Sequence, residues 1–384
     1  MNQLERRLRR LEAPGEAAAT LRAWELASVE FDRREPVARR THQRRLWVLA
    51  IALLCVAALG ISPAGAEVVR WVGDRIDANP GVGHAKPFLG PLPAQGRLLV
   101  TSDAGLWVVQ RDGSKRLIGR YSDPAWSPHG LFIAAIRGHE LVAMEPNGRV
   151  HWTVPASRRP ALPSWSSDGY RIAYLSGFSL RLVNGDGTGD RLLAAHVDYV
   201  APAWRPGLAH VLAWVSRGVT VADVDSGTTL ARITRVEPVQ VAWSPNGKRL
   251  LVVERGRVRL FDSRGHVRKE LDLAAGVVAQ RAAFSPDGRT VALLRRQSGL
   301  SEVRLLSVRG RSWNERAGAP VSGGFSTLEW SPDGRWLLLA WPTADQWLFV
   351  SPSRVLPVSG IGRAFASGPG WAFFPTLGGW CCSR

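Results

Sequence analysis

Short apolar segments, separated by turn residues, recur along the chain from about residue 96 onward. Runs of four apolar residues occupy 250–253, 291–294 and 337–340. Because each run is short and bounded by turn residues, it is typical of a buried strand. A second apolar segment and then a more polar one follow, as in RVRLFD at 257–262 and SRGHVRKELDL at 263–273. A fourth segment leads into the next turn, as in VQVAW of one copy and RAAF of another. One period therefore predicts about four antiparallel strands.

An aromatic residue followed by a tight turn marks each period, most completely as WSPDG at 330–334. In this turn Pro restricts φ, Asp bonds the local backbone and Gly accepts a positive φ. The aromatics lie 39, 39, 39, 41 and 46 residues apart, which indicates a repeat architecture in which they pack between neighbouring units. They are Trp126, Trp165, Trp204, Trp243, Phe284 and Trp330.

The two ends of the repeat region predict one shared unit. Residues 96–119 match the part of a repeat that follows the turn, and 363–374 contain a lone strand candidate around Trp371. A propeller must hide the edges between its first and last blades, and a blade built from both termini does so. We therefore predict an all-β propeller of seven four-stranded blades, with six as the alternative if the first segment serves as a cap.

The WSPDG-like copies, each followed by a Leu/Val strand, resemble the WD-like repeats of TolB-type β-propellers over about 96–375. The resemblance implies the propeller fold and a role in binding, although such propellers serve many tasks. The chain departs from TolB in showing no α/β domain ahead of the repeats, so TolB's own partners do not carry over. The Gly-His and Trp-Asp signature of true WD repeats is also missing.

The first 95 residues predict a membrane anchor. Residues 46–66 are free of charge and long enough to span a bilayer, and six arginines lie in 33–45. This asymmetry predicts a cytoplasmic tail at 1–45 with two short amphipathic helices, a span at 46–66, a helix extension with a Pro/Gly-rich linker at 67–95, and an extracytoplasmic propeller at 96–384. The tail could dock to a cytoplasmic partner.

A cleavable export signal is the alternative for the same segment. Ala64-Gly65-Ala66 fits a small-x-small cleavage site, and cleavage near Ala66 would release a secreted propeller. Both interpretations place the propeller outside the cytoplasm.

The formal net charge of +18 predicts attraction to anionic partners. The basic residues are dispersed, and no run of them is interleaved with aromatics as in a nucleic-acid groove. We therefore expect an envelope protein or an anionic polymer as partner, and no nucleic acid.

Motifs for catalysis or metal binding are scarce. The sequence contains no G-x-S-x-G and no H-E-x-x-H, and its eight histidines are scattered. The segment NGDGTGD at 184–190 has the early spacing of a calcium loop, but position 12 is Ala195 where a bidentate Glu is needed. A hairpin turn is the better interpretation, and no cofactor or metal is expected.

A binding site is expected at one mouth of the propeller channel, where the loops that enter the innermost strands converge. These loops carry a mixed set of polar side chains. They are Asp123, Arg159, Asp198, Tyr199, Glu237, Gln280 and Arg281. The sequence thus predicts a binding scaffold or sensor. The alternative is an envelope enzyme, a hydrolase or lyase acting on carbohydrate, which would need two carboxylates or a His with a carboxylate converging in the channel.

Two adjacent cysteines, Cys381 and Cys382, lie near the C-terminal end, and the remaining cysteine, Cys55, falls in the predicted span. An exported protein meets an oxidising compartment, so exposed free thiols are not expected to persist. A vicinal disulfide, bridges to another chain and two buried thiols remain as alternatives.

Overall fold

The computed structural model describes residues 90–310, 312–316, 322–367 and 373–382. They form a β-propeller of seven blades, each built on a four-stranded antiparallel sheet. The prediction of seven blades is confirmed, and the six-blade alternative is wrong. In the blade around residues 277–323 the outermost strand is replaced by two short strands that both pair with the third strand.

Blades 1 to 4 follow one another along the chain, with the innermost strand first in each. Blade 1 comprises β4 (Ser122–Trp126), β5 (Ile133–Arg137), β6 (Glu140–Met144) and β7 (Val150–Pro155). Blade 2 comprises β8 (Pro160–Trp165), β9 (Arg171–Ser176), β10 (Ser179–Asn184) and β11 (Arg191–Ala195). Blade 3 comprises β12 (Ala203–Trp204), β13 (Val211–Val215), β14 (Val219–Asp223) and β15 (Thr229–Ile233). Blade 4 comprises β16 (Pro238–Trp243), β17 (Arg249–Glu254), β18 (Arg257–Asp262) and β19 (Val267–Asp272).

Blades 5 to 7 complete the ring. Blade 5 comprises β20 (Val277–Phe284), β21 (Thr290–Gln297), β22 (Leu300–Ser307), β23 (Asn314–Arg316) and β24 (Ser322–Gly323). Blade 6 comprises β25 (Thr327–Trp330), β26 (Leu337–Trp341), β27 (Gln346–Val350) and β28 (Val355–Ser359). Blade 7 comprises β29 (Thr376–Cys381), β1 (Arg97–Ser102), β2 (Gly105–Val109) and β3 (Lys115–Gly119). A 3₁₀ turn (Pro342–Ala344) and the short helix α1 (Ile361–Ala364) lie in blade 6 and in the loop after it.

Blade 7 closes the ring with strands from both ends of the repeat region, as predicted, but its inner strand differs from the predicted one. β29 begins at Thr376, and Trp371, where the strand was expected, lies outside the described residues. β29 pairs antiparallel with β1, with Trp380 opposite Leu98. This matches the pairing of Trp330 with Leu337 in blade 6, so Trp380 is the seventh repeat aromatic.

The core is divided among the seams between blades. The described residues form seven buried apolar clusters, and each cluster combines side chains of two neighbouring blades. The second strand of each blade is apolar on both faces because a blade packs against a neighbour on either side. The run 250–253 is an example, with all four side chains at most 1% exposed.

The Ser-Pro-Asp-Gly turns owe their sequence to a small hydrogen-bond network. In blade 6 the buried Ser331 accepts the N–H of Trp336 at 2.9 Å and donates its hydroxyl to Asp333 at 2.6 Å, while Asp333 accepts the N–H of Arg335. Gly334 has φ +69°, which an L side chain rarely adopts. The same Ser–Asp pair occurs at Ser166 and Ser285. The motif is therefore a self-contained turn.

An inner tier of contacts joins the blades through the repeat aromatics. Three indole N–H groups donate to the carbonyl of the residue that precedes the aromatic of the previous blade: Trp165 to Ala125, Trp204 to Ser164 and Trp330 to Ala283, at 2.9–3.3 Å. Trp204 and Trp243 are 7% exposed, and the other four predicted aromatics are half-buried.

Two repeat tryptophans are arranged differently. The indole N–H groups of Trp126 and Trp243 are buried without a hydrogen-bond partner. An arginine covers each ring, with Arg97 4.8 Å from the centroid of Trp126 and Arg205 5.2 Å from that of Trp243. Arg205 occupies the Ser position of its own turn, and its Nε donates to the carbonyl of Gly247 in the next blade at 2.7 Å. The deviant sequence of that turn thus supplies an inter-blade link.

An outer tier of contacts runs from the outermost strand of one blade to a turn of the next. Trp152 of β7 donates its indole N–H to Gly185 at 2.8 Å, and Arg191 of β11 donates to Val224 at 2.7 Å. Lys269 of β19 is 5% exposed and donates to three carbonyls, those of Ser307, Arg309 and Ser312, at 2.8–3.0 Å.

The predictions for the tail at 1–45, the span at 46–66 and most of the linker fall outside the described residues. Among the helices that the structure describes, none combines the length and hydropathy of a membrane span. The described chain packs into the propeller before its first strand, since Leu92 and Ala94 are buried in the cluster between blades 6 and 7.

Candidate functional site: the entry face

The two faces of the propeller carry different connections. The innermost strands begin on the face that we call the entry face, which also holds the turns between the second and third strands of each blade. They end on the turn face, which holds the Ser-Pro-Asp-Gly turns. Five of the seven predicted binding residues lie on the entry face, in a loop before an innermost strand or at its start: Asp123, Arg159, Asp198, Tyr199 and Glu237. Gln280 and Arg281 lie in the middle of β20. The structure divides the seven residues into three groups.

Asp123, Arg159 and Tyr199 form the first group, between blades 1, 2 and 3. Arg159 donates to Ser122 at 3.3 Å, next to Asp123. Tyr199 is 66% exposed. Its pKa is raised by partial burial and by the charge of Asp123, against the opposing charge of Arg159, so the three side chains act on one another electrostatically.

Asp198 and Glu237 belong to a cleft of about 890 Å³ between blades 3 and 4. The same cleft is lined by Arg217, Arg235 and Arg255, which are exposed and form no ion pair with any residue that the structure describes. The other two arginines of the cleft are paired, Arg259 with Glu254 at 2.6 Å and Arg257 with Asp272.

Gln280 and Arg281 of β20 form the third group and have different roles. Gln280 accepts the hydroxyl of Ser301 at 2.9 Å, so it is occupied within blade 5. Arg281 reaches Glu329 of the neighbouring inner strand at 3.6 Å. Burial raises the pKa of Glu329, and the charge of Arg281 opposes that rise.

Glu329 is not among the residues predicted from the sequence, although the repeats contain a signal for it. The position before each repeat aromatic carries small residues in six blades, and Glu329 alone is large and charged. The small ones are Ala125, Ser164, Ala203, Ala242, Ala283 and Gly379. All seven are half-buried, as expected for side chains that line a narrow channel. Catalysis at Glu329, which lies near the turn-face end of β25, would need a second catalytic group beside it. The charge that acts on it is that of Arg281.

An arc of exposed aromatic and arginine side chains follows the entry face from blade 2 to blade 4. Phe178 is 75% exposed, and its carbonyl accepts the N–H of Val197, two residues before Tyr199. The side chain of Arg158 packs closely on Gly177: if this glycine carried a Cβ, that atom would lie only 2.6 Å from the Cδ of Arg158. We define the entry-face arc by its two aromatics and the arginines that flank them. They are Arg158, Arg159, Phe178, Tyr199, Arg217, Arg235 and Arg255.

The loop at 184–190 is the hairpin turn between β10 and β11. Asp190 accepts hydrogen bonds from Arg181 at 2.6 Å and from the hydroxyl of Tyr174 at 2.8 Å, and Asp186 accepts the N–H and hydroxyl of Thr188. Protein donors thus engage these carboxylates. No cluster of three potential metal ligands occurs among the residues that the structure describes.

The cysteine pair lies where blade 7 meets blade 1. Cys381 occupies the Ser position of the seventh repeat, and the structure joins its sulfur to that of Cys382 as a vicinal disulfide. The two sulfurs face the carbonyls of Ser127 and Pro128 in the first turn, at 3.9 and 3.8 Å. The vicinal disulfide, one of the three states that the sequence leaves open for this pair, stays a prediction.

Comparison with known proteins supports the fold. The sequence matches no protein-family profile and no curated protein. Among solved structures, the C-terminal WD40 domain of Sif2 is similar with a TM-score of 0.53 and 14% identity, over 69% of this chain and 82% of that one. The β-propeller domain of Cps50 (Swd1) from Myceliophteria thermophila is similar with a TM-score of 0.50 and 15% identity, over 62% and 85%. At such identities the likeness shows the WD40-like propeller fold alone.

Proposed function

We propose that the chain is a membrane-anchored, extracytoplasmic scaffold of the TolB-like kind that binds a protein partner through the entry-face arc. The fold supports a binding role, because propellers of the WD40 kind commonly serve as protein-binding scaffolds. The uncharged segment at 46–66 and the arginines before it support the anchor and its orientation.

The observation that carries the proposal is the composition of the arc. Tyr and Arg are enriched in the energetically dominant residues of protein interfaces, where a flat ring and a guanidinium bury large areas and make directed hydrogen bonds. Phe178 and Tyr199 expose most of their ring surface, and neighbouring arginines form no ion pair with described residues. A partner with an apolar patch surrounded by carboxylates would complement both features.

Affinity capture from membranes of the source organism tests the partner class. The full chain in detergent is compared with Tyr199→Ala/Arg217→Ala, which alters the arc, and with Leu208→Ala/Lys248→Ala, a matched pair on the turn face. We expect a protein that the wild type and the turn-face variant retain and the arc variant loses. An unchanged set of retained proteins in all three samples contradicts the proposal. If the wild type retains a protease-resistant polymer instead of a protein, the partner is a polyanion and the proposal of a protein partner is wrong.

Protease treatment of intact cells tests the orientation. We expect the propeller to be digested and an epitope tag at the N-terminus to remain protected, unless the membrane is first permeabilised. Protection of residues 97–382 in intact cells contradicts export, and recovery of the undigested propeller in the medium favours cleavage near Ala66.

A further inference from the structure

A pocket on the turn face, between blades 1 and 2, lies opposite the entry face. Its volume is about 850 Å³, within the range of roughly 300–1,000 Å³ of small-molecule sites. Four aromatic side chains contribute to its walls: Phe132, Trp152, Trp165 and Tyr170. We call this site the aromatic pocket.

The walls of the aromatic pocket are held in place by hydrogen bonds across the seam. The indole N–H of Trp152 donates to Gly185 at 2.8 Å, and the N–H of Gly185 donates to the carbonyl of Tyr170 at 2.7 Å. Trp165 donates to Ala125 at 3.3 Å, and the ring of Phe132 stands edge-on to that of His151 at 5.0 Å between centroids. A site built in this way needs little reorganisation when a ligand enters.

Tyr170 is the part of the pocket that the fold does not explain. Its side chain is 73% exposed, although its backbone is fixed by Gly185 and by Asp168, which accepts its N–H at 3.0 Å. In the repeats with the most regular turns, the residue after the turn glycine is Lys248, Arg289 or Arg335. An aromatic ring at a position that suits a charged residue, beside a concave site, suggests a surface on which a ligand stacks.

The polar groups of the pocket are of mixed kind and carry no uncompensated positive charge. At the rim, His151 Nε2 contacts Glu145 at 2.9 Å, Asn184 Nδ2 donates to Thr188 at 3.1 Å and Asp186 Oδ1 accepts from Thr188. The other polar atoms of these side chains, His151 Nδ1, Asn184 Oδ1 and Asp186 Oδ2, are the donors and acceptors left for a ligand. The one arginine, Arg171, is paired with Asp225 at 2.7 Å and with Asp168 at 3.5 Å. An anionic ligand therefore has no free cation to meet here, unlike in the cleft of the entry face.

We propose that the aromatic pocket binds a neutral carbohydrate of one or two pyranose units. A pyranose has C–H faces that pack on the negative faces of aromatic rings and a rim of hydroxyl groups that both donate and accept. Tyr170 and the neighbouring rings supply the faces, and His151, Asn184 and Asp186 supply the partners of the hydroxyls. The site is independent of the entry-face arc, so either proposal can fail alone.

Saturation-transfer NMR on the full chain in detergent, with cellobiose, maltose, mannobiose and chitobiose as probes, tests this site. We expect at least one disaccharide to bind. Tyr170→Ala should weaken that binding about tenfold or more, and Tyr170→Phe should retain it because the ring is kept. Phe178→Ala, an equally exposed ring on the entry face, should leave it unchanged.

Three outcomes overturn the proposal: no disaccharide of the panel binds, Tyr170→Ala leaves the binding unaltered, or Phe178→Ala weakens it as much. Binding of N-acetyltryptophanamide at this site with none of the sugars assigns the pocket to an aromatic peptide side chain instead. Since Tyr170 is largely exposed, loss of the fold is not expected to confuse the result, and thermal unfolding of each variant checks this.

Discussion

The inner and outer tiers of contacts both join neighbouring blades, but they use different side chains to do so. In the inner tier an aromatic at a constant position of the repeat reaches the previous blade, and three of these indoles donate to equivalent carbonyls. In the outer tier the donor is an indole at Trp152, a guanidinium at Arg191 and an ammonium at Lys269.

Two of the three outer donors share a topological position, since Trp152 and Lys269 both follow the bulge in the pairing of their strand with the third strand. Trp152 donates to one carbonyl of the next blade and Lys269 to three. The type of side chain at this position also determines whether the seam is filled or left open as a pocket. Lys269 is buried in its seam, whereas the ring of Trp152 forms a wall of the aromatic pocket. The comparison shows that a repeat can keep a contact while varying the surface around it.

Removing an inner-tier aromatic should have the largest effect. Trp243 is 7% exposed and lies in the cluster between blades 3 and 4, so Trp243→Ala should lower the free energy of unfolding by roughly 3–5 kcal/mol. Chemical denaturation measures it, with the exposed Phe178→Ala as control. If both variants lose equally little free energy of unfolding, Trp243 does not stabilise the contact between blades 3 and 4.

Replacing the buried ammonium of the outer tier should have the next largest effect. Lys269→Met keeps most of the stem but leaves the carbonyls of Ser307, Arg309 and Ser312 without their donor, at a cost of about 2–3 kcal/mol. The exposed Lys248→Met should stay within about 0.5 kcal/mol of the wild type. A neutral Lys269→Met would mean that water replaces the ammonium.

The indole of the outer tier should contribute less than the ammonium. Trp152→Phe keeps an aromatic wall and removes the single hydrogen bond to Gly185, so a loss of about 1 kcal/mol is expected. Denaturation of the two variants side by side tests the order. A loss for Trp152→Phe that exceeds that for Lys269→Met would reverse the ranking of the two seams.

A pH effect in the channel should be the smallest. Because burial raises the folded-state pKa of Glu329 above its unfolded value, the wild type should lose stability as pH rises from the unfolded towards the folded pKa. Glu329→Gln should lack this loss and be more stable above that window by less than about 1 kcal/mol. Melting temperatures from pH 4 to pH 8 measure the difference. If the stability difference between Glu329→Gln and the wild type does not change with pH, the pKa of Glu329 is not raised in the folded state.

The sequence alone predicted the propeller, the number of blades and the use of both ends in the last blade. These features are local and repeated. The turn network of Ser331, Asp333 and Gly334 is complete within a few residues, and the apolar runs after each turn repeat in register. Because the same pattern recurs in every repeat, each copy supports the strands predicted in the others. A strand pattern that occurs once has no such support.

Only the tertiary structure decided the rest, because it depends on contacts between distant residues. The closing strand is β29 with Trp380, and its pairing partner Leu98 lies at the other end of the repeat region. Five of the seven predicted mouth residues lie on the entry face, whereas Gln280 and Arg281 lie in the middle of β20, where Gln280 accepts the hydroxyl of Ser301. Glu329 and the aromatic pocket each arise where two blades meet, and periodicity within one blade carries no information about which side chains of the next blade they face.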